Sequence, residues 1–188
     1  ISNVFIPRVN RMVATNNDNK ELTNLFTRIG RIQFILLSLI CSGIIFFGKP
    51  FIKMWAGVSY SEAYIIVLLL IIPVTIPLIQ NIGLEIQKAK NMHKFRSITY
   101  LFIAIFNVLL SIPLTKLYGQ IGAAIGTSIS LLVGNGVIMN IYYHKSIGLD
   151  IKHFWSEIVK FIPALILPII LGVVINLFID TNKFIVFL

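Results

Sequence analysis

The sequence predicts an all-α protein that crosses a membrane as a bundle of helices. Of its 188 residues, 57% are hydrophobic and only 12% are charged, and the mean hydropathy is +0.90. A soluble domain carries about 25% charged residues. Long stretches hold no Asp, Glu, Lys or Arg: Ile32–Gly48, Ala63–Leu84, Ser97–Thr115, Leu117–His144 and Phe161–Ile179. Because a hydrocarbon core about 30 Å thick needs about 20 helical residues, we expect five complete transmembrane helices.

The predicted spans cover about residues 32–48, 63–84, 97–115, 119–143 and 161–179. Pro73 and Pro77 lie four residues apart in the second span. Each removes a helical hydrogen bond, so we expect that helix to bend. In the fourth span small residues recur at every fourth position, namely Gly122, Gly126, Ser130 and Gly134. This spacing makes a smooth face that lets another helix approach closely.

Two amphipathic segments precede the first and fifth spans. Residues 21–31 and residues 150–160 place apolar side chains at helical spacing, and Asp150 is suited to cap the second segment. We expect both to lie on the inner surface of the membrane. We also expect residues 1–188 to be a fragment forming one lobe, with partial helices at both ends, the second beginning near Lys183.

The basic residues predict the orientation of the bundle. Twelve of the 16 Lys and Arg residues lie in the N-terminal segment, the 85–96 loop and the 145–160 loop, which alternate with poorly charged loops. Short loops rich in Lys and Arg stay in the cytoplasm. The net charge of +9 therefore sets topology and attracts anionic lipid headgroups, and we do not expect nucleic-acid binding.

Polar side chains at the membrane are costly, so each needs a partner or a water-filled cavity. Glu85 either snorkels or pairs with Lys88, or it lines a cavity, where it takes a proton or a cation or holds a nearby arginine. Arg28 and Arg31 either signal topology or contact a pyrophosphate on the cytoplasmic side, because arginine matches phosphate oxygens in pairs. The remaining candidates are amides that either bond neighbouring helices or face a cavity: Gln33, Gln80, Asn81, Asn107, Asn135, Asn140 and Asn176.

We expect no catalytic residues, no cofactor and no metal. His93, His144 and His153 have no cysteine or carboxylate cluster at metal-ligand spacing. The sequence has no glycine-rich phosphate loop with its lysine, and no Ser/His/Asp arrangement stands out. Cys41, inside the first apolar stretch, is expected to be an inert packed thiol.

Three segments carry a resemblance to a known family. They read FIPRVNRM followed by LTNLF at residues 5–12 and 22–26, NIGLEIQKAKNMHKFR at 81–96, and PLTKLYGQIGAAIGT at 113–127. In order and spacing they are similar to the C-terminal part of bacterial polysaccharide flippases, of the multidrug/oligosaccharidyl-lipid/polysaccharide exporter superfamily. The resemblance extends over nearly the whole chain.

The resemblance implies the C-terminal lobe of a two-lobe transporter in the bacterial cytoplasmic membrane. Such a protein moves undecaprenyl-pyrophosphate-linked oligosaccharide repeat units outward by alternating access, for lipopolysaccharide O-antigen or capsule. Implied partners are the lipid-linked oligosaccharide, membrane lipids, and a glycan polymerase or other polysaccharide-assembly proteins. The family meets pyrophosphate with cavity cations, whereas the middles of these spans hold no Lys or Arg. Arg28 and Arg31 at the inner rim, or another lobe, would have to supply them.

Three alternatives remain open from the sequence. A multidrug or cation antiporter of the same superfamily predicts a carboxylate deep in the lobe. A lipid II flippase differs only in the sugar that it carries. A scaffold that organises glycan-synthesis enzymes without transport predicts that substitutions at Gln80, Asn81 and Asn107 are silent.

Overall fold

The chain folds into helices, which confirms the all-α class. A computed structural model describes residues 2–15 and 18–178, and these contain no β-strand. The α-helices are α1 (Ile6–Ala14), α2 (Asn19–Ala56), α3 (Ala63–Ile79), α4 (Asn81–Ala89), α5 (Lys94–Leu131), α6 (Met139–Tyr142), α7 (Ile151–Val159) and α8 (Ile166–Phe178). Short 3-10 turns cover Ser2–Phe5, Val58–Tyr60 and Ile162–Leu165, and π-helical segments, Leu132–Ile138 and Tyr143–Ile147, flank α6.

Three helical stretches among the described residues are long and apolar enough to cross a membrane. They are Asn19–Ala56, Ala63–Ala89 and Lys94–Ile147. The chain is therefore a membrane protein by helix length and composition, with three such stretches instead of the five expected. The predicted third and fourth spans merge into the last stretch. The fifth is represented by α8, of 13 residues, and its end at Ile179, like the partial helix near Lys183, lies outside the described residues.

Gly119 folds the longest stretch into a hairpin. Its φ of 60° and ψ of −139° interrupt the helix in a conformation that glycine adopts at little cost. We call residues 94–118 the first arm and residues 120–147 the second arm. Tyr100 of the first arm donates a hydrogen bond to Asn135 of the second over 2.8 Å. The arms are antiparallel, as expected for two spans joined by a short turn.

The second helical stretch breaks after its prolines, not at them. Pro73 and Pro77 lie inside α3, which remains helical through both. The break falls at Gln80, which ends α3 and immediately precedes α4. The structure therefore interrupts this span three residues beyond Pro77, and the expected bend at the prolines stays a prediction.

The helix α2 is longer than a membrane crossing requires. Its 38 residues extend about 57 Å, against a hydrocarbon core of about 30 Å. The excess lies at its start, where Leu22, Phe26 and Ile29 are at most 1% exposed inside the protein. Their apolar stripe packs against protein, because α4 and α7 contact α2 and share its buried core. The expectation that residues 21–31 lie at the inner surface of the membrane stays a prediction.

The segment 150–160 also packs against protein, and its expected position at the inner membrane surface likewise stays a prediction. The helix α7 forms there, and the Asp150 carboxylate caps it by accepting from the backbone N–H of His153 over 3.0 Å. Its apolar face packs on α2, where Phe154 is completely buried, with its ring centroid 4.5 Å from that of Phe26. Gly30 permits this contact, since a Cβ there would lie 2.5 Å from the Phe154 ring.

The large buried side chains gather at one end of the bundle. This core joins α1, the start of α2, α4 and the region from α6 to α7 through side chains such as Val9, Ile82 and Tyr143. By contrast, Leu101 and Leu109 in the first arm are 61% and 64% exposed. Such continuous apolar exposure is typical of a surface that lipid or another part of a membrane protein covers.

The three basic segments meet at this same end. The Lys90 ammonium donates to the side-chain oxygen of Asn19 and to the carbonyl oxygen of Ile147, each over 2.8 Å. Partial burial lowers the pKa of Lys90. The backbone N–H of Asp150 donates to the Thr23 hydroxyl over 3.1 Å. The three segments that the charge pattern assigns to one side of the membrane therefore lie together.

Candidate functional site

A buried amide, Asn140, joins three helices near the core. Its side-chain oxygen accepts from Gln80 over 2.6 Å and from the Trp155 indole over 3.2 Å. Its side-chain nitrogen donates to the carbonyl oxygens of Asn135 and Gly136 over 3.1 and 2.7 Å. Gln80 is 2% exposed. Every polar atom of Asn140 is thus used, which fixes the break after α3 against the second arm and α7.

The same network continues to an arginine. Arg96 donates to the hydroxyls of Tyr143 and Tyr100 over 3.2 and 2.8 Å, and Tyr100 in turn donates to Asn135. The guanidinium also lies over the Tyr100 ring, 4.7 Å from its centroid. In the part of the chain that the structure describes, Arg96 has no carboxylate partner. Its charge is held by phenols alone, and an anion at this end of the bundle would be attracted to it.

We call this set the polar network; it comprises Gln80, Arg96, Tyr100, Asn135, Asn140, Tyr143 and Trp155. Asn135 lies in the first π-helical segment, and Asn140 follows it in α6. A π-helical turn is rare and is frequently found at functional sites. Here the wider turn lets one amide reach carbonyl oxygens four and five residues earlier. The backbone of Leu132–Ile138 therefore departs from a regular α-helix at the place where the second arm makes these hydrogen bonds.

Three further buried polar groups lie without a hydrogen-bond partner among the described residues. Both side-chain atoms of Gln87, which is completely buried, are unpaired, as are the hydroxyl of Thr27 and the side-chain nitrogen of Asn135. An unpaired buried polar group costs about 1–3 kcal/mol. Such groups are tolerated where a protein needs polarity for a reason other than stability.

Of the arrangements predicted for Glu85, the structure shows the pair with Lys88. Its carboxylate is 11% exposed and accepts from Lys88, one helical turn later, over 2.9 Å. Asn107 accepts from Ser111 and Thr127 over 2.8 and 3.3 Å, so it bonds the two arms together. The structure shows no hydrogen bond for Asn81 within the described residues. Among the described residues, none of these three shows a hydrogen bond to the polar network.

The two arginines of the predicted phosphate contact have different environments. Arg31 donates to Glu157 of α7 over 3.2 Å and lies 5.7 Å from the centroid of the Phe161 ring. The Lys160 ammonium, hydrogen-bonded to Glu157, lowers the pKa of this carboxyl group, and Arg31 adds to the effect. Arg28 is exposed and pairs with no carboxylate among the described residues. A carboxylate therefore already neutralises one arginine of the pair.

The glycines of the fourth span lie between the two arms. A Cβ on Gly122 would overlap the carbonyl oxygen of Leu114, and one on Gly126 would lie 2.5 Å from the Ser111 hydroxyl. Gly134 similarly faces the side chain of Ile103. The small-residue face is thus occupied by the first arm. Of the other amide candidates, Gln33 is buried, and the side chain of Asn176 lies outside the described residues.

The sequence interpretation missed Arg96, Tyr100, Tyr143 and Trp155. Arg96 and Tyr100 are four residues apart and therefore share a helix face, which was a usable signal. Nothing in the sequence linked them to the second arm. Within residues 2–15 and 18–178, no three His, Cys, Asp or Glu side chains lie close enough together to hold a metal ion.

Comparison of the chain with protein-family models, with curated proteins and with solved structures found no significant match.

Proposed function

We propose that this chain is one lobe of a bacterial flippase that moves lipid-linked oligosaccharides across the cytoplasmic membrane by alternating access. The substrate would be an undecaprenyl-pyrophosphate-linked repeat unit for a surface polysaccharide. The main support for the proposal is the structural role of residues 113–127, which read PLTKLYGQIGAAIGT. The residues that give the resemblance also build the Gly119 turn and the close contact of the two arms.

In this proposal the lobe crosses the membrane five times. They are α2, α3 with α4, the first arm, the second arm, and the segment that begins with α8. The three basic segments that lie together at one end would face the cytoplasm, as the positive-inside rule requires. Discontinuous helices and buried polar groups in apolar surroundings are features of transporter lobes, and the break at Gln80 beside the polar network provides both.

An antiporter driven by cations fits this chain less well. That reading requires a carboxylate deep in the membrane. Two described carboxylates near the polar network in sequence are already paired, Glu85 with Lys88 and Glu157 with Arg31 and Lys160. A scaffold without transport does not require a network centred on an arginine that lacks a carboxylate partner. Neither alternative therefore accounts for Arg96.

The test is the location of lipid-linked repeat units in cells that lack the full-length gene. Accumulation on the inner leaflet, relieved by the intact gene, would support the flippase. Unchanged glycan export with altered sensitivity to cationic drugs would contradict it and favour the antiporter. An Arg96→Gln variant in the full-length protein should reproduce the accumulation at normal membrane abundance, whereas Lys116→Gln, at the opposite end of the first arm, should not.

A further inference from the structure

We propose that a cleft between α1 and α2 binds a phosphate group on the membrane surface. The cleft is lined by Arg8 and Arg11 from α1 and by Arg28 from α2. It extends the proposed function to a site that does not involve the polar network. Its existence does not depend on which substrate the protein transports.

Two adjoining cavities form the cleft. One, of about 550 Å³, is lined by Arg8, Arg11 and Glu21. The other, of about 290 Å³, is lined by Arg8, Glu21 and Arg28. Arg8, Met12 and Glu21 border both cavities, so the two lie side by side and the three arginines line them together. Three arginines and one glutamate leave an excess of positive charge there.

The arginines are presented on a rigid support. Between Arg8 and Arg11, Val9 is completely buried, and Met12 is only 8% exposed. Both belong to the core cluster, which anchors α1 to the protein and leaves Arg8 and Arg11 beside its buried face. The side chains of Arg8, Arg11 and Arg28 are exposed and have no ion pair in the described ranges. Their donors are therefore available to a ligand, in contrast to those of Arg31.

The depth of the cleft matches that of phosphate groups in a bilayer. The charge-free stretch of α2 begins at Ile32, so Arg28 lies about 6 Å outside it along the helix. The headgroup region adds about 5–8 Å to each side of the hydrocarbon core. Arginine donors at that level meet phosphate oxygens in pairs. Phosphate on a lipid headgroup and phosphate on a soluble anion share this chemistry.

The experiment uses purified full-length protein and two probes. Inorganic pyrophosphate is titrated by calorimetry, and phosphatidic acid is titrated in detergent and counted by native mass spectrometry. The variant R8Q/R11Q/R28Q is compared with K49Q/K53Q/K116Q, which removes the same charge from the far ends of α2 and of the first arm. We expect the first variant to lose at least about tenfold in affinity and the second to bind like the wild type.

The two probes identify the source of the phosphate. Loss of phosphatidic acid binding alone would assign the cleft to a lipid headgroup, loss of pyrophosphate binding alone to a soluble anion, and loss of both to the phosphate group itself. Equal affinity of the wild type and the arginine variant, or equal losses in the two triple variants, would overturn the proposal. R28K keeps the charge without the paired donors and should lose affinity if geometry matters; its normal elution on gel filtration would show that it is folded. Flippase activity is not measured, so a negative result here leaves the proposed function standing.

Discussion

The contact between the two arms gives the sharpest prediction about packing. We expect Gly126→Leu to destabilise the full-length protein because the first arm already occupies the space beside this glycine. A Cβ at Gly126 would lie 2.5 Å from the Ser111 hydroxyl and 3.0 Å from the Ser111 Cα, whereas ordinary contact begins at 3.4 Å. The backbone of the first arm would have to move by about 0.4 Å for the Cβ alone.

The cost has two parts. The Ser111 hydroxyl donates to Asn107 over 2.8 Å, and its displacement loses a hydrogen bond worth about 0.5–1.5 kcal/mol. The three additional carbons of leucine must then separate the arms, and overpacking of this kind costs about 1–3 kcal/mol. The sum is about 1.5–4.5 kcal/mol, and a lower thermal midpoint in detergent should report it.

Gly43 supplies the matched control. It also lies within a long apolar helix, but a Cβ there would meet nothing within 4 Å. Gly43→Leu should therefore unfold at nearly the wild-type temperature, while Gly126→Leu should unfold well below it. If the two variants unfold together and both retain activity, the close approach of the arms does not stabilise the protein and the reasoning fails.

Three further predictions concern polar contacts. Glu85→Gln should reduce glycan export at unchanged membrane abundance if the acid serves a cavity; equal loss of both on an immunoblot would make it structural. Asn140→Ala should lower the thermal midpoint more than Gln80→Ala, because it leaves more groups unpaired. The lowered pKa of Glu157 stabilises the folded state above about pH 4.3, its unfolded value, and this contribution is lost as pH falls through the lower folded value. Glu157→Gln should therefore remove part of the acid sensitivity of unfolding; an unchanged pH profile would refute this.

Much of the fold was predictable because apolar periodicity and glycine placement act locally. The turn at Gly119, the cap at Asp150 and the all-α class follow from short segments of sequence. By contrast, local sequence did not predict which surface an amphipathic helix face packs against. The stripes of residues 21–31 and 150–160 were assigned to lipid, yet Phe26 and Phe154 contact each other, because a stripe suited to lipid is equally suited to another helix.

For the candidate site, the sequence predicted only which types of residue take part. Polar side chains in apolar spans indicate hydrogen bonds, and Gln80 and Asn140 do bond to each other. Partner choice depended on the hairpin register, which brings Tyr100 beside Asn135 and Arg96 beside Tyr143. Arg28 and Arg31 are three residues apart but have different neighbours, because Arg28 lines a cavity with α1 and Arg31 pairs with Glu157 of α7. The spacing of residues in the sequence identifies which helix face they share, whereas the fold determines which residues that face contacts.

The uneven distribution of buried side chains bears on how such a lobe could move. At one end, Lys90 bridges two other segments and Phe26 lies within a continuous core, so separating the helices there would break ion-dipole contacts and expose large apolar groups. Toward the middle of the bundle the helices present apolar side chains outward, and sliding against lipid or another lobe exposes nothing to water. We therefore expect the end that carries the basic segments to move as one rigid body, with the break at Gln80 anchored to it by Asn140. Changes of shape would then be taken up by α3 and the two arms beyond this anchor.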